Sequence, residues 1–261
     1  MVTLNDIKQF LIKIRIFDLL GIALILSFFI FFKTIKTNIF HPLVLTDIDN
    51  PIKTDTYKVI VLLFYVVFCG LFSLSLCYLS NKFNSLYPCL LYYSFNLAST
   101  LLVTTFIKNC VSRPRPDTLT ICGNPYSDSC KKTLSYSTFF DQYQSFPSAH
   151  SSVSMSASIF LSLVLNEILP FNSFLYIIIK IFPLFGSIFI ALTRVRDFKH
   201  HTEDIVFGLF LGGTVGLLSF KMFQREIQSK VEEPQQPQEP QEPQPNQKSG
   251  DFLSALLNAN F

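Results

Sequence analysis

Three short clusters of charged and polar residues stand out in an otherwise apolar chain. They read KNCVSRPRP at 108–116, PSAH at 147–150 and RVRDFKHHTED at 194–204. Each lies at the end of a long apolar run, where a charged side chain is costly unless it binds something. Fixed cations together with imidazoles predict an anion-binding site with histidine chemistry.

Five residues of these clusters have side-chain or backbone groups that can bind phosphate. Arg115 and Arg194 carry planar forks that match phosphate oxygens, and Lys108 adds a point charge. Ser148 and Ala149 begin an expected helix, whose first amides are unpaired and whose dipole is positive at that end. Any one of the cations alone is typical of a membrane-edge side chain that reaches lipid headgroups. All three beside two histidines favour a site that stabilises developing charge on phosphate.

The histidines and one aspartate suggest nucleophilic chemistry. His200 and Asp204 are four residues apart, and in a helix this spacing places both on one face. The carboxylate would then hold one imidazole nitrogen as N–H and leave the other free to attack. His150 suits the role of proton donor to the leaving oxygen. His201 is the rival nucleophile, but it points about 100° away on the helix, and neither Glu203 nor Asp204 is spaced to serve it, so we expect it to support the site.

Composition and charge disfavour a metal site and nucleic-acid binding. The segment HHTED at 200–204 has metal-ligand types, but three fixed cations on the same face would repel a divalent ion. The net charge of +3 is small, and no basic stretch carries the interleaved aromatic residues that nucleic-acid binding uses. We expect no metal, no cofactor and no nucleic-acid partner.

The apolar runs supply the elements that must position these clusters. Of 261 residues, 49% are hydrophobic, 29 are Phe and only 15% are charged, which predicts an all-α polytopic membrane protein. Six runs meet the roughly 20-residue requirement of a spanning helix, near 16–34, 58–80, 86–107, 149–169, 172–193 and 204–222. The first run follows several basic residues, so a cleavable signal peptide is the competing interpretation. No small-residue cleavage pattern follows it, which favours a retained helix.

The topology brings the clusters together. The loops 108–148 and 194–203 are separated by two spans, so they lie on one membrane face whatever the orientation, and the six helices form a bundle with the site at that face. The Lys and Arg residues near the helix ends favour cytosolic termini, although the first outer loop is also rich in lysine. The site is then expected on the lumenal or exterior side of the endoplasmic reticulum or the plasma membrane.

The sequence divides into three parts. We expect a cytosolic segment at 1–15, the six-helix membrane domain at 16–222 and a disordered tail at 223–261. The tail contains VEEPQQPQEPQEPQPNQKSG at 231–250, a composition that cannot bury enough apolar surface to offset the entropy of ordering.

These motifs resemble the signature of the type 2 phosphatidic acid phosphatase superfamily. The similar pattern is Lys108, six residues and Arg115-Pro116, then Pro147-Ser148-Ala149-His150, then Arg194, five residues, His200, three residues and Asp204. The strings SRPRPD and RVRDFKHHTED are most similar to the eukaryotic lipid phosphate phosphatases. Two positions depart from the family: Ala149 stands where Gly is frequent, and Thr193 stands where Ser is usual. Ala149 keeps its amide and Thr193 keeps a hydroxyl.

The resemblance implies a mechanism and a substrate class. It implies His200 as a nucleophile that forms a phosphohistidine, Asp204 as its orienter and His150 as general acid and then base, without a metal ion. The expected substrates are phosphatidate, lysophosphatidate, sphingoid-base phosphate or diacylglycerol pyrophosphate, reached from the lipid bilayer. A sugar-phosphate or polyprenyl-diphosphate phosphatase of the same superfamily stays open. So does a non-catalytic lipid-binding scaffold.

A stripe of glycines lies in the last predicted span. Gly208, Gly212 and Gly216 recur every fourth residue, which suits either a homo-oligomer face or, as we favour, close packing inside the bundle.

Cys122 and Cys130 flank a turn-rich segment of the loop 108–148, which lies on the same membrane face as the expected site. A disulfide between them is expected if that face is lumenal or extracellular. Cys110 would then be free.

Overall fold

A computed structural model describes residues 15–34, 48–80, 86–123, 134–169 and 173–232, and these residues form helices and no strand. The helices are α1 (Ile16–Thr34), α2 (Val59–Leu79), α3 (Leu86–Val111), α4 (Thr118–Cys122), α5 (Tyr136–Asp141), α6 (Ala149–Ile168), α7 (Phe174–Arg196) and α8 (Thr202–Glu232). The predicted all-α class is confirmed. Helices α2, α3, α6, α7 and α8 are long and apolar enough to cross a membrane, and α1 is a 19-residue helix at the place of the first predicted span.

Helix α6 lies between its neighbours and carries an unusual number of serines. Ser158 Oγ is 2.7 Å from the hydroxyl of Tyr65 in α2, and Ser152 Oγ is 2.9 Å from Oγ1 of Thr104 in α3. Asn96 of α3 also donates to a carbonyl of α6, that of Ser156. Small hydroxyl side chains allow helices to approach closely and to hydrogen-bond in a setting without water. The bundle therefore holds α6 firmly, with His150 in its first turn.

The glycine stripe of α8 packs against α6. A Cβ atom built on Gly212 would lie 2.0 Å from the carbonyl oxygen of Ser152, and Cβ atoms on Gly208 and Gly216 would each lie 2.8 Å from a carbonyl oxygen, that of the N-cap Ser148 and that of Ser156. These approaches leave no room for a side chain, so the packing interpretation of the stripe is confirmed. Homo-oligomerisation stays a prediction.

Helix α8 continues beyond the expected boundary at residue 222. Phe223 and Ile227 are buried on the same side of the helix as Phe220, and Gln224 Nε2 donates to Glu167 Oε1 of α6 at 2.7 Å. Burial at this spacing stabilises further helical turns, so residues 223–232 are helical and the predicted tail boundary is too early. By its contacts the chain divides into 1–227, whose described helices form the bundle, and 228–261, of which the structure describes the helix end at 228–232. The rest of the predicted tail and the segment at 1–14 lie outside the described residues.

Candidate active site

The three clusters meet at one end of the bundle. Helices α3 and α7 end there, and α6 and α8 begin there. The amide of Ser148 donates to the carbonyl of Asp204 at 3.0 Å, which joins the second cluster to the third. Arg113 Nη1 lies 2.9 Å from Asp204 Oδ1, which joins the first cluster to the third.

His200 lies in the turn before α8 and not on the helix. Its Nδ1 is 2.7 Å from the carbonyl oxygen of Ser145. A carbonyl can only accept, so Nδ1 carries the proton and Nε2 presents a lone pair. Asp204 Oδ2 is 3.7 Å from the same Nδ1, too far for a hydrogen bond. The expectation that Asp204 itself fixes the tautomer is wrong, because the Ser145 carbonyl takes that position and the carboxylate supplies a nearby negative charge.

His200 is held in the neutral form. Its ring is buried, and this burial is the main reason why the pKa of His200 lies well below its usual value. The nearby positive charges of Lys108 and Arg115 lower the pKa further, against the opposing effect of Asp204. A neutral imidazole with a protonated Nδ1 is the form that can attack an electrophile through Nε2.

Asp204 is fully buried and has more partners than the spacing predicts. Its Oδ2 accepts from the hydroxyl of Ser145 and, at 2.9 Å, from the backbone amide of His201. The ring Nδ1 of His201 is 3.3 Å from the same oxygen. The expectation that Asp204 cannot serve His201 is therefore wrong. Both imidazoles lie near one carboxylate, because residues three apart, like residues four apart, are neighbours along a helical turn.

Two of these partners were missed by sequence reasoning. Arg113 bonds Asp204 Oδ1 and also reaches Glu203 Oε2 at 3.3 Å. Its signal is the repeated Arg-Pro in RPRP, of which only Arg115-Pro116 belongs to the predicted pattern. Ser145 contacts His200 through its backbone carbonyl. Because every residue has such a carbonyl, the residue type gives no indication of this contact.

The predicted phosphate-binding cations all reach this region. Lys108 is buried in the last turn of α3, and its Nζ donates to the carbonyl of Gln144. Arg115 makes two 2.8 Å hydrogen bonds to Asp141, one to the backbone carbonyl and one to Oδ1. Lys108 lies at the C-terminal end of α3, where the helix dipole is negative, and this favours a cation there.

Arg194 is buried in the last turn of α7. Its Nη2 is 3.1 Å from Asp55 Oδ1, and its Nη1 donates to the carbonyl of Tyr57 at 3.1 Å. Its buried Nε has no hydrogen-bond partner among the described residues. The forks of Arg115 and Arg194 thus both contact a carboxylate, and a carboxylate presents the same paired oxygens as a phosphate.

The start of α6 holds the remaining predicted residues. Ser148 is the N-cap, and its hydroxyl accepts from the amide of Ser151 at 3.4 Å. Its own amide is taken by the Asp204 carbonyl, so only its hydroxyl is left for an anion. Ala149 is the first helical residue and His150 the second. The buried Nε2 of His150 has no partner within the described ranges, and Lys108, Arg115 and Arg194 all contribute to the electrostatic field at its ring.

The segment before α2 holds the two loops of the site together. Thr56 donates from its amide and its hydroxyl to Asp197, each at 2.6 Å. Asn50 donates from its amide to the Pro116 carbonyl at 3.1 Å. Sequence reasoning assigned this segment no role.

One cysteine of the predicted Cys122–Cys130 pair lies within the described residues. Cys122 is disulfide-bonded, its predicted partner Cys130 lies outside the described residues, and Cys110 is free and exposed. In the part of the chain that the structure describes, no three His, Cys, Asp or Glu side chains are placed to hold a metal ion.

The chain is similar to a protein family and to several named phosphatases. The PAP2 superfamily profile matches residues 89–228, more than half of the chain. Diacylglycerol pyrophosphate phosphatase 1 of Saccharomyces cerevisiae is 31% identical over 163 residues, 57% of this chain and 55% of that protein. Lipid phosphate phosphatase 1 of Arabidopsis thaliana is 27% identical over 190 residues, 69% of this chain and 58% of that protein. Phospholipid phosphatase 2 of Mus musculus is 27% identical over 165 residues, 59% of this chain and 60% of that protein.

The chain spans about half the length of the first curated relatives it matches. No solved structure matches the chain. The five candidate spans and the relatives together identify it as an integral membrane protein.

Proposed function

The chain belongs to the PAP2 superfamily, and on that premise we propose that it is a membrane phosphatase that hydrolyses lipid phosphates through a phosphohistidine. One observation carries the proposal. The imidazole of His200 is buried and neutral, with its Nδ1 proton held by the Ser145 carbonyl at 2.7 Å. Its Nε2 is therefore available as a nucleophile at the meeting point of the three clusters.

The first chemical step is transfer of the phosphoryl group to His200. Nε2 attacks phosphorus, the N–P bond forms and the bond from phosphorus to the ester oxygen breaks. His150, in its protonated form, gives a proton to the leaving oxygen, so that an alcohol such as diacylglycerol departs. The positive charge that develops on the His200 ring is balanced by Asp204, whose Oδ2 lies 3.7 Å from Nδ1.

The second step restores the enzyme. His150, now neutral, takes a proton from a water molecule, and the water oxygen attacks phosphorus as the N–P bond breaks. Inorganic phosphate leaves, and His200 regains its lone pair. The same histidine thus acts first as general acid and then as general base, because the leaving oxygen and the attacking water occupy the same position on phosphorus.

Cations stabilise the phosphoryl group in both steps. We assign Lys108, Arg115 and Arg194 to its non-bridging oxygens, together with the Ser148 hydroxyl and the Ala149 amide. Asp141 and Asp55 contact the two arginine forks, so phosphate oxygens would take the place of these carboxylates. The charge stabilisation comes from side chains and one backbone amide, and we propose that turnover needs no divalent metal.

The proposed substrates are lipids in the same membrane. Relatives are named diacylglycerol pyrophosphate phosphatase and lipid phosphate phosphatase, which supports phosphatidate, lysophosphatidate, sphingoid-base phosphate or diacylglycerol pyrophosphate. We propose cytosolic termini, a membrane domain that begins at residue 16, and a site that faces the lumen of the endoplasmic reticulum or the exterior. A Cys122–Cys130 disulfide fits that placement.

A substrate panel tests the proposal. The purified full-length chain is assayed for phosphate release from phosphatidate, lysophosphatidate, sphingosine phosphate, diacylglycerol pyrophosphate and glucose phosphate, with EDTA present. We expect release from the lipid phosphates and none from a His200→Ala variant. Release from glucose phosphate alone would favour the sugar-phosphate alternative. Activity that EDTA abolishes and Mg²⁺ restores would contradict the metal-independent mechanism.

A further inference from the structure

An apolar groove lies on the surface of α8, and one of its lining residues is ion-paired to Arg113 of the proposed active site. It has a volume of about 480 Å³. Its lining residues come from the first three turns of α8 and from the loop before α6: Phe146, Thr202, Glu203, Val206, Phe207 and Phe210. The rings of Phe146 and Phe207 are 4.8 Å apart, so they form a continuous apolar wall.

One end of the groove faces the bilayer. Val206 is 60% exposed and Phe210 is 70% exposed, and both lie on a helix that is long and apolar enough to span the membrane. In an integral membrane protein such a surface is in contact with hydrocarbon chains. The medium around the groove is therefore lipid, which selects an apolar chain as its occupant.

The other end of the groove is connected to the proposed catalytic residues through Arg113 and through the chain at Ser145. Glu203 lines the groove and is bonded to Arg113, which bonds Asp204. Phe146 directly follows Ser145, whose carbonyl accepts from His200. The groove extends about 12 Å along α8 from Thr202 to Phe210, at 1.5 Å per residue. An amphipathic molecule with a phosphate at His200 would have its first chain carbons in this groove.

We propose that the groove binds the part of the substrate acyl or alkyl chain that is closest to the phosphate, and that Val206, Phe207 and Phe210 set the preference for chain length. This inference rests on the proposed phosphatase function and assigns its chain-binding subsite. The carboxylate of Glu203 is paired with Arg113 at the end of the groove nearest the proposed active site. It marks the limit between the apolar chain and the polar headgroup.

The test uses a substitution that fills the groove. Val206→Trp would occupy the space of the chain, and Leu218→Trp is the matched control because Leu218 is 57% exposed on the same helix but does not line the groove. Catalytic efficiency, kcat/KM, is measured on phosphatidates whose chains lengthen from four to ten carbons. In the control, kcat/KM should rise with chain length. In Val206→Trp this gain should fall roughly tenfold, the order expected when apolar pocket contacts are lost.

The two possible failures give different results. If the wild-type chain releases phosphate from none of these lipids, the proposed function fails. If the wild type is active and Val206→Trp keeps the chain-length dependence of Leu218→Trp, the groove assignment alone is wrong.

A second measurement does not depend on any variant. A phosphatidate analogue with a diazirine on the early chain carbons is photolysed with wild-type protein in phosphatidylcholine vesicles, and the labelled peptides are mapped. Label is expected at Phe146 and at 206–210, and unlabelled phosphatidate should displace it. Label spread equally over the bilayer-facing residues of α2 and α8, or label that excess phosphatidate does not displace, would show ordinary lipid contact and overturn the proposal.

Discussion

Arg113 Nη1 lies 2.9 Å from Oδ1 of Asp204, and this ion pair connects the loop after α3 to the first turn of α8. The carboxylate is fully buried, whereas the arginine side chain is 23% exposed. Asp204 in turn binds the Ser145 hydroxyl, and the Ser145 carbonyl orients His200. In the proposed mechanism Arg113 is therefore a positioning residue, which acts on His200 through two others.

Loss of Arg113 should lower turnover more than substrate binding. In Arg113→Gln the buried Asp204 loses its cation, and the Ser145 carbonyl loses part of what fixes it. We expect kcat to fall about 10- to 100-fold, the range for removal of a group that orients a ligand, with little change in KM. Arg113→Lys should recover part of the rate, and Arg196→Gln, an exposed arginine in the last turn of α7, is the control. Equal losses in kcat for both Gln variants would contradict the positioning role.

The two histidines should differ in the intermediate that they allow. His200→Ala removes the nucleophile and should leave no phosphoenzyme. His150→Ala should still form one from an activated aryl phosphate, whose leaving group needs no proton, and should break it down slowly. Acid-labile label is trapped by rapid quench in both variants and in His201→Ala, where we expect label. Label retained on His200→Ala would show that another histidine is the nucleophile.

The convergence of the candidate residues was predictable where a side-chain type carries the proposed chemistry. His150, His200, Asp204 and the predicted phosphate-binding cations lie together because their clusters lie at the ends of spans that share a face. The helical spacing rule failed at His200 because Phe198 has a φ of 54°, in the left-handed region, so α7 ends before His200 and α8 begins after it. Side-chain direction in such a turn does not follow a helical period.

The contribution of Ser145 was beyond sequence reasoning for a different reason. Every residue has a backbone carbonyl, so nothing in the residue type distinguishes the one that meets His200. The end of α8 was also missed, since the hydropathy of residues 223–232 falls as polar residues increase. Burial of Phe223 and Ile227 against the bundle supplies stability that a hydropathy window does not count.

The buried neutral state of His200 should make folding sensitive to acid. Its pKa is lowered in the folded chain, chiefly by burial, whereas in the unfolded chain it is about 6.5. As the pH falls below about 6.5, the unfolded chain takes up a proton that the folded chain does not, so the free energy of unfolding decreases. This contribution is about 1.4 kcal/mol per pH unit. Unfolding at pH 7.5 and 5.5 is compared for wild type and His200→Gln, which cannot titrate there. A pH effect of the same size in both would contradict the assignment.

Asp55 should compete with phosphate for Arg194. The contact between Arg194 Nη2 and Asp55 Oδ1 is 3.1 Å, and the carboxylate is 36% exposed, so the pair contributes on the order of 0.2–1 kcal/mol. In Asp55→Asn the Nη2 end of the Arg194 fork loses its carboxylate, and vanadate should inhibit more tightly, by up to about fivefold. Asp49→Asn, an exposed acid in the same segment, should leave the inhibition constant unchanged. Weaker inhibition in Asp55→Asn would mean that Asp55 holds Arg194 in place for the anion.

The contact between α6 and α8 should not tolerate a methyl group. A Cβ on Gly212 would lie 2.0 Å from the Ser152 carbonyl oxygen, whereas a Cβ on Gly21 of α1 would meet nothing within 4 Å. In Gly212→Ala, α8 must shift away from α6, which moves Asp204 relative to the start of α6, where its carbonyl accepts from the Ser148 amide at 3.0 Å. We expect a loss of roughly 1–3 kcal/mol, as for an overpacked core, together with a lower kcat. Gly21→Ala should keep activity and gain up to about 1 kcal/mol from helix propensity. Thermal unfolding and lipid phosphate hydrolysis are measured on both variants, and equal stability of the two would show that the glycine stripe is not packed against α6.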